Sequence, residues 1–167
     1  MFKVFVDGEA GTTGLQIYDR LAKRNDIEML RISQELRKDT EERKRLINES
    51  DVTFLCLPDA AAMESAALCT NPDTCIIEAS TAHRTNPDWT YGLPEISKNQ
   101  REAISKAKRI ANPGCHATVF ILGVHPLVES GILPATANLA AYSITGYSGG
   151  GKKLIAEYEE ESSLGHK

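Results

Sequence analysis

Short apolar runs recur along the first 111 residues, each separated from the next by a longer segment of mixed polarity, and they constrain the fold most. The clearest is Val52-Thr53-Phe54-Leu55-Cys56-Leu57, which Pro58 ends. Strands that are apolar throughout, without an alternating polar face, are typical of a parallel sheet that helices cover on both sides. We therefore predict parallel strands over residues 3–6, 27–32, 52–57, 75–79 and 109–111.

The segments between these runs carry the capping signals and apolar spacing of helices. The predicted cap residues are Thr12 or Thr13, Asp39 with Glu42, Asp59, and Ser97 with Gln100. Strands and helices that alternate in this way form a doubly wound α/β fold. We therefore predict that residues 1–114 form one α/β domain with a doubly wound, Rossmann-like parallel sheet.

The pattern changes after residue 114. An apolar, helix-compatible run extends from Cys115 to about Glu129, a turn follows over residues 130–134, and residues 138–145 have the composition of a long strand. One strand and two helices do not bury a sheet. We interpret residues 115–167 as the beginning of an α+β substrate domain, part of which this sequence lacks.

Composition argues against several classes of partner. The net charge of -4 gives no basic surface for nucleic acid, and no apolar run approaches the ~20 residues of a membrane span. The four cysteines show no metal-ligand spacing, and no segment resembles a secretion signal. We expect a cytoplasmic protein with reduced thiols and no metal, nucleic acid or membrane partner.

Three glycines follow the first strand directly, at Gly8, Gly11 and Gly14. Glycines here let the chain turn sharply, let a phosphate approach the backbone amides, and let the next helix pack against the sheet. This placement predicts a dinucleotide site formed by the three glycines with Thr12 and Thr13. The alternative is a set of tight turns without a ligand.

The end of the second strand bears on the choice between NAD and NADP. An acidic residue commonly holds the ribose hydroxyls of NAD at this point, whereas this sequence has Ser33 and then Arg37 and Lys38. These residues favour a 2′-phosphate and therefore NADP(H). The alternative is a solvated charged loop, since Glu35 and Asp39 lie in the same segment.

The stretch ANPGCHAT, residues 111–118, places Cys115 after a turn and at the first turn of a predicted helix. Pro113 and Gly114 fix the turn, and the partial positive charge of a helix N-terminus favours a thiolate. The turn also follows the last predicted strand, at the sheet edge where ligands bind in open α/β folds. A thiolate facing a nicotinamide suggests that an acyl group forms a thioester and is then reduced by hydride.

Five segments in order resemble the N-acetyl-γ-glutamyl-phosphate reductase family, of the shorter type, which is related to the aspartate-semialdehyde dehydrogenases. They read VDGEAGTTGLQIYDRL, ASTAHRT, YGLPE, NPGCHAT and GYSGGGK. The resemblance implies NADPH-dependent reduction of N-acetyl-L-glutamyl 5-phosphate to the 5-semialdehyde, with phosphate released, in arginine biosynthesis. It implies that Cys115 is the catalytic nucleophile and that Gly8, Gly11 and Gly14 form the cofactor loop. It also implies a small acyl-phosphate substrate and a homo-oligomer when the protein is intact.

Further site residues follow from the resemblance and from position in the predicted sheet. Arg84 is a candidate to grip the acyl phosphate, with a surface ion pair as the alternative. Asn112 is a candidate substrate donor beside the thiol. In a loop that could equally be a flexible connector, Ser148 and Gly149 are candidates near the nicotinamide, and the added cation Lys152 is a candidate to bind substrate. Trp89 and Tyr91 either cover the substrate or anchor their loop.

The family's acid–base histidine is expected on a segment resembling His-x-Pro-Glu, which this sequence lacks. His116 adjoins Cys115 but points to a different side of the helix, so it is poorly placed as the base. Catalysis by this chain alone is therefore doubtful. The alternatives to the reductase are an aspartate-semialdehyde dehydrogenase-like enzyme, a non-catalytic NADP-binding fragment and a thiol redox sensor.

Overall fold

The computed structural model describes residues 1–8, 12–146, 149 and 151–163, without the side chains of residues 12, 15, 151–153 and 161–163. Six strands of these residues form one sheet in the order β2-β1-β3-β4-β6-β5, and every neighbouring pair is parallel. The strands are β1 (Phe2–Asp7), β2 (Ile27–Leu30), β3 (Val52–Leu55), β4 (Cys75–Glu78), β5 (Thr90–Tyr91) and β6 (Arg109–Ala111). The predicted doubly wound, Rossmann-like parallel sheet is confirmed.

Helices lie between the strands and after the last of them. They are α1 (Thr12–Leu21), α2 (Thr40–Glu49), α3 (Asp59–Ala67), α4 (Gln100–Lys106), α5 (Cys115–Glu129) and α6 (Gly151–Ser163), with a 3₁₀ helix at Pro94–Ile96. Because parallel crossovers are right-handed, the reversal of strand order at β1 places α1 on one face of the sheet and α2 on the other. The switch point lies between β1 and β3, and ligands of such sheets bind at the carboxyl ends of these strands.

The core lies between β1 and α2. Phe5, Leu46 and Ile47 form its buried cluster, with at most 2% of each side chain exposed. Beside it, the Asp7 carboxylate accepts hydrogen bonds from Arg43 Nη2 at 2.8 Å and from Ser65 Oγ at 2.6 Å. These contacts link the carboxyl end of β1 to α2 and α3. The residue at which the glycine loop begins is therefore held in place by both helices.

Strand lengths differ from the prediction at several ends. The strands β2, β3 and β4 end at Leu30, Leu55 and Glu78, each before the end of its apolar run. An apolar run indicates which residues are buried. Residues just beyond the last hydrogen bond between strands can still be buried, so the run extends past the end of the strand. The short strand β5 and the 3₁₀ helix were not predicted, because two and three residues carry no periodic signal.

The cap prediction was right for α2 and wrong for α3 and α4, whereas the cap of α1 lies outside the described residues. Asp39 accepts a hydrogen bond from the Glu42 amide at 2.8 Å. Asp59 lies inside α3, whose cap is Pro58, and α4 follows Asn99 rather than Ser97. The first helix begins at Thr12, so Thr13 lies within it and is no cap.

The strand predicted over residues 138–145 is not formed, and these residues have no regular secondary structure. A strand needs a neighbour to satisfy its amides and carbonyls, and no described strand lies alongside this segment. Tyr142 is 91% exposed and Ile144 is 81% exposed. The expected beginning of an α+β sheet in residues 115–167 is therefore absent from the described residues.

No helix among the described residues combines the length and apolarity needed to cross a membrane.

Candidate active site

Three segments lie at the same edge of the sheet, because each follows the carboxyl end of a parallel strand. Gly8 follows β1, the loop from residue 79 to residue 89 follows β4, and the turn at residues 112–114 follows β6. Backbone bonds tie the last two together, since the Asn112 amide donates to Glu78 O at 2.8 Å. The predicted gathering of the cysteine turn and the Arg84 loop at one edge is therefore seen in the structure.

Cys115 is the first residue of α5, and its side chain is exposed. Gly114 is the cap residue and offers no side chain to the free amides of the first turn. The Thr118 amide and Thr118 Oγ1 both donate to Gly114 O, at 2.9 and 2.8 Å. These bonds start the helix directly behind the turn, so the thiol stands at the positive end of a helix, as the sequence predicts.

The other thiols have different surroundings. Burial, with the nearby Asp7 carboxylate, raises the pKa of Cys56 to about 11. Burial also raises the pKa of Cys75, against the opposing charge of Lys108. All four cysteines are free, and Cys115 alone is exposed while the rest are half-buried. Cys115 is therefore the accessible thiol of the chain.

Arg84 lies directly against the cysteine turn. Its Nε donates to Asn112 O at 3.0 Å, and its Nη2 donates to Ala79 O at 3.1 Å. A Cβ placed on Gly114 would lie 2.5 Å from Arg84 Nη1, so a residue with a side chain there would displace the guanidinium. None of the described residues forms a salt bridge with Arg84.

Asn112 is exposed and its side chain folds onto its own turn, where Nδ2 donates to Pro113 O at 3.2 Å. Its backbone oxygen, rather than its amide side chain, makes the contact with Arg84. A substrate-binding role for the Asn112 side chain stays a prediction.

Behind Arg84 lies a buried pair that sequence reasoning missed. Glu78 is 0% exposed, and its Oε2 lies 2.7 Å from His83 Nδ1. Its Oε1 accepts from the Ser80 amide at 3.0 Å and also from Ser80 Oγ. The signal was an acidic residue in the otherwise apolar run CIIEA, with a histidine five residues later.

Trp89 stacks on the ring of His83, with 4.1 Å between ring centroids and 13° between planes. It therefore anchors its loop, which is the second of the two roles considered for it. Tyr91 lies in β5 and pairs with Ala111 of β6.

A further bond closes the loop from the side of α3. Thr81 donates to the Asp59 carboxylate twice, from its amide at 2.9 Å and from its hydroxyl at 2.5 Å. These hydrogen bonds lower the pKa of Asp59. The carboxylate expected to cap α3 instead fixes the segment that follows β4.

The glycine loop is described only in part, because Gly11 lies outside the described residues. Gly8 has φ +93°, and a Cβ there would lie 2.3 Å from Cys56 O, so the carboxyl ends of β1 and β3 approach closely at the switch point. Gly14 is buried in the first turn of α1. Thr13 is exposed at the start of the same helix. This arrangement fits a dinucleotide site.

Ser33, Arg37 and Lys38 all lie exposed in the turn after β2. Ser33 Oγ accepts from the Leu36 amide at 3.3 Å, and neither basic side chain forms a salt bridge with a described residue. The neighbouring Arg31 was not predicted as part of the site, and its guanidinium lies 4.7 Å from the centre of the Tyr18 ring. Exposed basic side chains thus share this segment with Glu35 and Asp39, and its role at a 2′-phosphate stays a prediction.

The loop before α6 is described less fully. Ser148 lies outside the described residues, and Lys152 belongs to α6 with its side chain outside them. Gly149 is exposed, and its amide donates to Gly146 O at 2.9 Å. His116, which we expected to be a poor base, contacts Ser143 Oγ through Nδ1. No group of three metal-ligating side chains occurs in the described part of the chain.

Two family models match this sequence. The model of the semialdehyde dehydrogenase NAD binding domain matches residues 3–107. The model of the semialdehyde dehydrogenase dimerisation domain matches residues 115–165. The first covers most of the chain and includes strands β1 to β5, the glycine loop and the Arg84 loop, whereas β6 lies beyond its last residue.

Curated relatives of similar sequence carry the name N-acetyl-gamma-glutamyl-phosphate reductase. An N-acetyl-gamma-glutamyl-phosphate reductase 2 from Nostoc sp. is 50% identical over 94% of this chain and 49% of its own length. An N-acetyl-gamma-glutamyl-phosphate reductase from Chelativorans sp. is 52% identical over 94% of this chain and 51% of its own length. The chain thus spans about half the length of the curated relatives it matches.

The fold also matches solved structures. Aspartate semialdehyde dehydrogenase from Francisella tularensis superposes with a TM-score of 0.68 at 19% identity, over 98% of this chain and 50% of that one. Aspartate semialdehyde dehydrogenase with NADP from Candida albicans gives 0.52 at 17% identity, over 77% of this chain and 47% of that one. At these identities the likeness shows the fold alone.

Proposed function

This chain belongs to the semialdehyde dehydrogenase family, and we propose that it supplies the cofactor-binding and nucleophile half of an N-acetyl-γ-glutamyl-phosphate reductase. The reaction is the NADPH-dependent reduction of N-acetyl-L-glutamyl 5-phosphate to N-acetyl-L-glutamate 5-semialdehyde, with phosphate released, in arginine biosynthesis. One observation carries the proposal: an exposed cysteine begins α5 at the ligand edge of the sheet, with an arginine against the same turn.

The proposed chemistry begins at Cys115. Its thiolate attacks the acyl carbon, an S–C bond forms, and the C–O bond to phosphate breaks as phosphate leaves with the electron pair. Arg84 holds the phosphate through donors that its contacts with Ala79 and Asn112 leave unused. The free amides at the start of α5 stabilise the negative charge that develops on the carbonyl oxygen.

The second half-reaction reduces the thioester. NADPH, when bound, supplies the hydride that the thioester carbon accepts. The C–S bond then breaks, the aldehyde leaves, and Cys115 is regenerated as a thiolate. We assign the pyrophosphate to the glycine loop with Thr12 and Thr13, and the 2′-phosphate to Ser33, Arg37 and Lys38. Ser148, Gly149 and Lys152 keep their proposed places near the nicotinamide and the substrate.

The organisation of the proposed enzyme follows the same comparisons. We place the boundary between the cofactor domain and the second domain at residues 114 and 115, and we propose a homo-oligomer because residues 115–165 match a dimerisation domain. The four free cysteines support a reducing compartment, for which we propose the cytoplasm.

Two alternatives have specific support. An aspartate-semialdehyde dehydrogenase has this fold, but the relatives near 50% identity carry the acetylglutamyl name. A non-catalytic NADP-binding fragment is the other alternative, because His116, the histidine next to Cys115 in sequence, contacts Ser143. The assay must therefore separate binding from turnover.

The test is phosphate-dependent oxidation of N-acetylglutamate semialdehyde with NADP, the reverse reaction. It is run on this chain alone and on the chain joined to the second half of the Nostoc relative, with NADP binding measured in parallel. We expect turnover in the joined protein and a loss of at least about 1,000-fold in Cys115→Ser. Cys75→Ser is the matched control, because that half-buried thiol makes only a weak contact with Ala107 O at 3.6 Å.

Turnover that survives Cys115→Ser would refute the proposed nucleophile. NADP binding without turnover in the joined protein would favour the non-catalytic fragment. Equal rates with NAD and NADP, unaffected by Arg37→Ala, would refute the assignment of the basic turn to the 2′-phosphate.

A further inference from the structure

The strongest group outside the assigned site is the buried pair of Glu78 and His83. A carboxylate removed from water is costly unless hydrogen bonds compensate it. Glu78 receives them from two groups of Ser80 and from His83, so both of its oxygens are used. Because a carboxylate only accepts, Nδ1 of His83 carries the hydrogen of their bond.

The ring of His83 is fixed in two independent ways. The bond to Glu78 at 2.7 Å sets the direction of its Nδ1, and the stacked Trp89 covers its face. Only 9% of His83 is exposed. A ring held by a charge-assisted bond and by stacking has little freedom to move, and neither does the backbone that carries it.

Arg84 is the next residue in the chain, so the fixed ring of His83 sets where the Arg84 side chain begins. Its guanidinium then reaches Asn112 O and Ala79 O and lies against Gly114, the residue before Cys115. A guanidinium has five N–H donors, and these two bonds use two of them. The remaining donors are available to an anion beside the thiol.

From this chain of contacts, and resting on the proposed function, we propose that Glu78, His83 and Trp89 position Arg84 for the phosphate of the acyl substrate. We call these three residues the positioning unit. They do not touch the reacting atoms and act only by fixing the guanidinium next to Cys115. Without these three residues the Arg84 loop samples other positions. The guanidinium then spends less time beside the thiol, and the positive charge there is lower on average.

The test measures charge at Cys115 without requiring turnover. Iodoacetate and iodoacetamide alkylate a thiol by the same displacement and differ in that only iodoacetate is an anion. A guanidinium held beside Cys115 raises the rate constant for iodoacetate relative to that for iodoacetamide. Peptide mass spectrometry on the full chain measures the rate constant of each reagent at Cys115. The quantity compared between variants is the rate constant for iodoacetate divided by that for iodoacetamide.

Arg84→Gln sets the scale. We expect it to lower the ratio about fivefold, the size expected of one charge at close range in water. His83→Gln and Glu78→Gln should lower the ratio at least about twofold, with Arg84 still present. The double variant of His83→Gln and Arg84→Gln should equal Arg84→Gln alone, because a residue that acts through Arg84 has no effect without it.

Two further variants separate positioning from general destabilisation. Ser50→Ala removes a buried hydroxyl that bonds to Ile47 O at 2.9 Å, at the opposite end of the sheet, and should lower stability with an unchanged ratio. Trp89→Ala should lower the ratio, whereas Trp89→Phe, which can still stack, should restore most of it. If Glu78→Gln does not fold, these two variants of the half-buried tryptophan test the proposal in its place.

A ratio that falls in Arg84→Gln but not in His83→Gln or Trp89→Ala overturns the positioning unit and leaves the proposed function intact. The positioning unit is also overturned if Ser50→Ala lowers the ratio as much as His83→Gln does. An unchanged ratio in Arg84→Gln would show that Arg84 places no charge beside Cys115. It would refute both the proposed contact of Arg84 with the phosphate and the positioning unit. The predicted ratios, combined with no turnover in the joined protein, would refute the proposed function and support the positioning unit.

Discussion

Exposure separates Cys115 from the other thiols of the chain. The pKa of Cys56 is raised to about 11 by burial and by the Asp7 carboxylate, so at about pH 8 only about 0.1% of it is thiolate. The pKa of Cys75 is raised in the same direction. We predict that limiting iodoacetamide at about pH 8 labels Cys115 first and Cys56 last.

Peptide mass spectrometry over a time course measures the order of labelling. The rate at Cys56 should rise steadily with pH up to about pH 11, since its thiolate forms only there. Initial labelling of Cys56 or Cys75 in the folded chain would contradict the exposure that the structure assigns to Cys115.

Gly8 is required by its position rather than by a ligand. Its φ of +93° is strained for other residues, and a Cβ would lie 2.3 Å from Cys56 O. We predict that Gly8→Ala lowers the free energy of unfolding by at least about 2 kcal/mol, measured by urea denaturation. Gly123→Ala is the control in the α5 helix, where a Cβ meets nothing within 4 Å, and should stabilise by up to about 1 kcal/mol. A Gly8→Ala protein as stable as the wild type would contradict the close approach of β1 and β3.

Single residues were predictable where local chemistry decides their place. The turn formed by Pro113 and Gly114 put Cys115 at the start of a helix, and the structure confirms it. The contact between Glu78 and His83 was not predictable, because it depends on how an irregular loop folds back over a strand end. No periodicity encodes such a loop, and only the isolated acidic residue in an apolar strand pointed to it.

At the scale of elements, the loop between β4 and β5 is secured to α3 by one carboxylate. Hydrogen bonds from Thr81 lower the pKa of Asp59. A lowered pKa means that the stabilisation is present above the unfolded value near 3.8 and is lost as the pH falls through the folded value. We predict that Asp59→Asn reduces the loss of stability that the wild-type chain shows on acidification below about pH 4.

Urea denaturation of both proteins at about pH 7 and about pH 3 measures this effect. Asp88→Asn is the matched control in the same loop, because that carboxylate accepts no hydrogen bond from a described residue. An acid loss that Asp59→Asn leaves unchanged, or that Asp88→Asn reduces equally, would contradict the role of Thr81 in holding the Asp59 carboxylate.

Apolar runs and periodic segments predicted the strands and helices of the sheet domain correctly. The same kind of signal predicted a strand over residues 138–145 that does not form. The five predicted strands of the sheet all occur, although three end early where the chain turns over the edge. Residues 138–145 have strand composition but no pairing partner among the described strands. Composition reports what a segment can bury, whereas a strand also requires a neighbour that accepts its hydrogen bonds.

At the scale of the whole molecule, a parallel sheet brings residues distant in sequence to one edge. Gly8, Arg84 and Cys115 follow three different strands, yet the register of the sheet places all three strand ends together. Strand order and direction therefore make this part of the site predictable from the sequence pattern. Of the residues proposed to position Arg84, His83 and Trp89 lie in an irregular loop, and their contacts are visible only in three dimensions.

The central claim is that Cys115 carries the acyl group during the reaction. The most direct measurement mixes N-acetylglutamate semialdehyde and NADP without phosphate, using the protein joined to the second half of the Nostoc relative, and locates the acyl group by peptide mass spectrometry. We predict an N-acetylglutamyl thioester on Cys115, formed with one NADPH per site, which disappears when phosphate is added. NADPH formed with no acyl group on Cys115, or with the group on another residue, would contradict the claim.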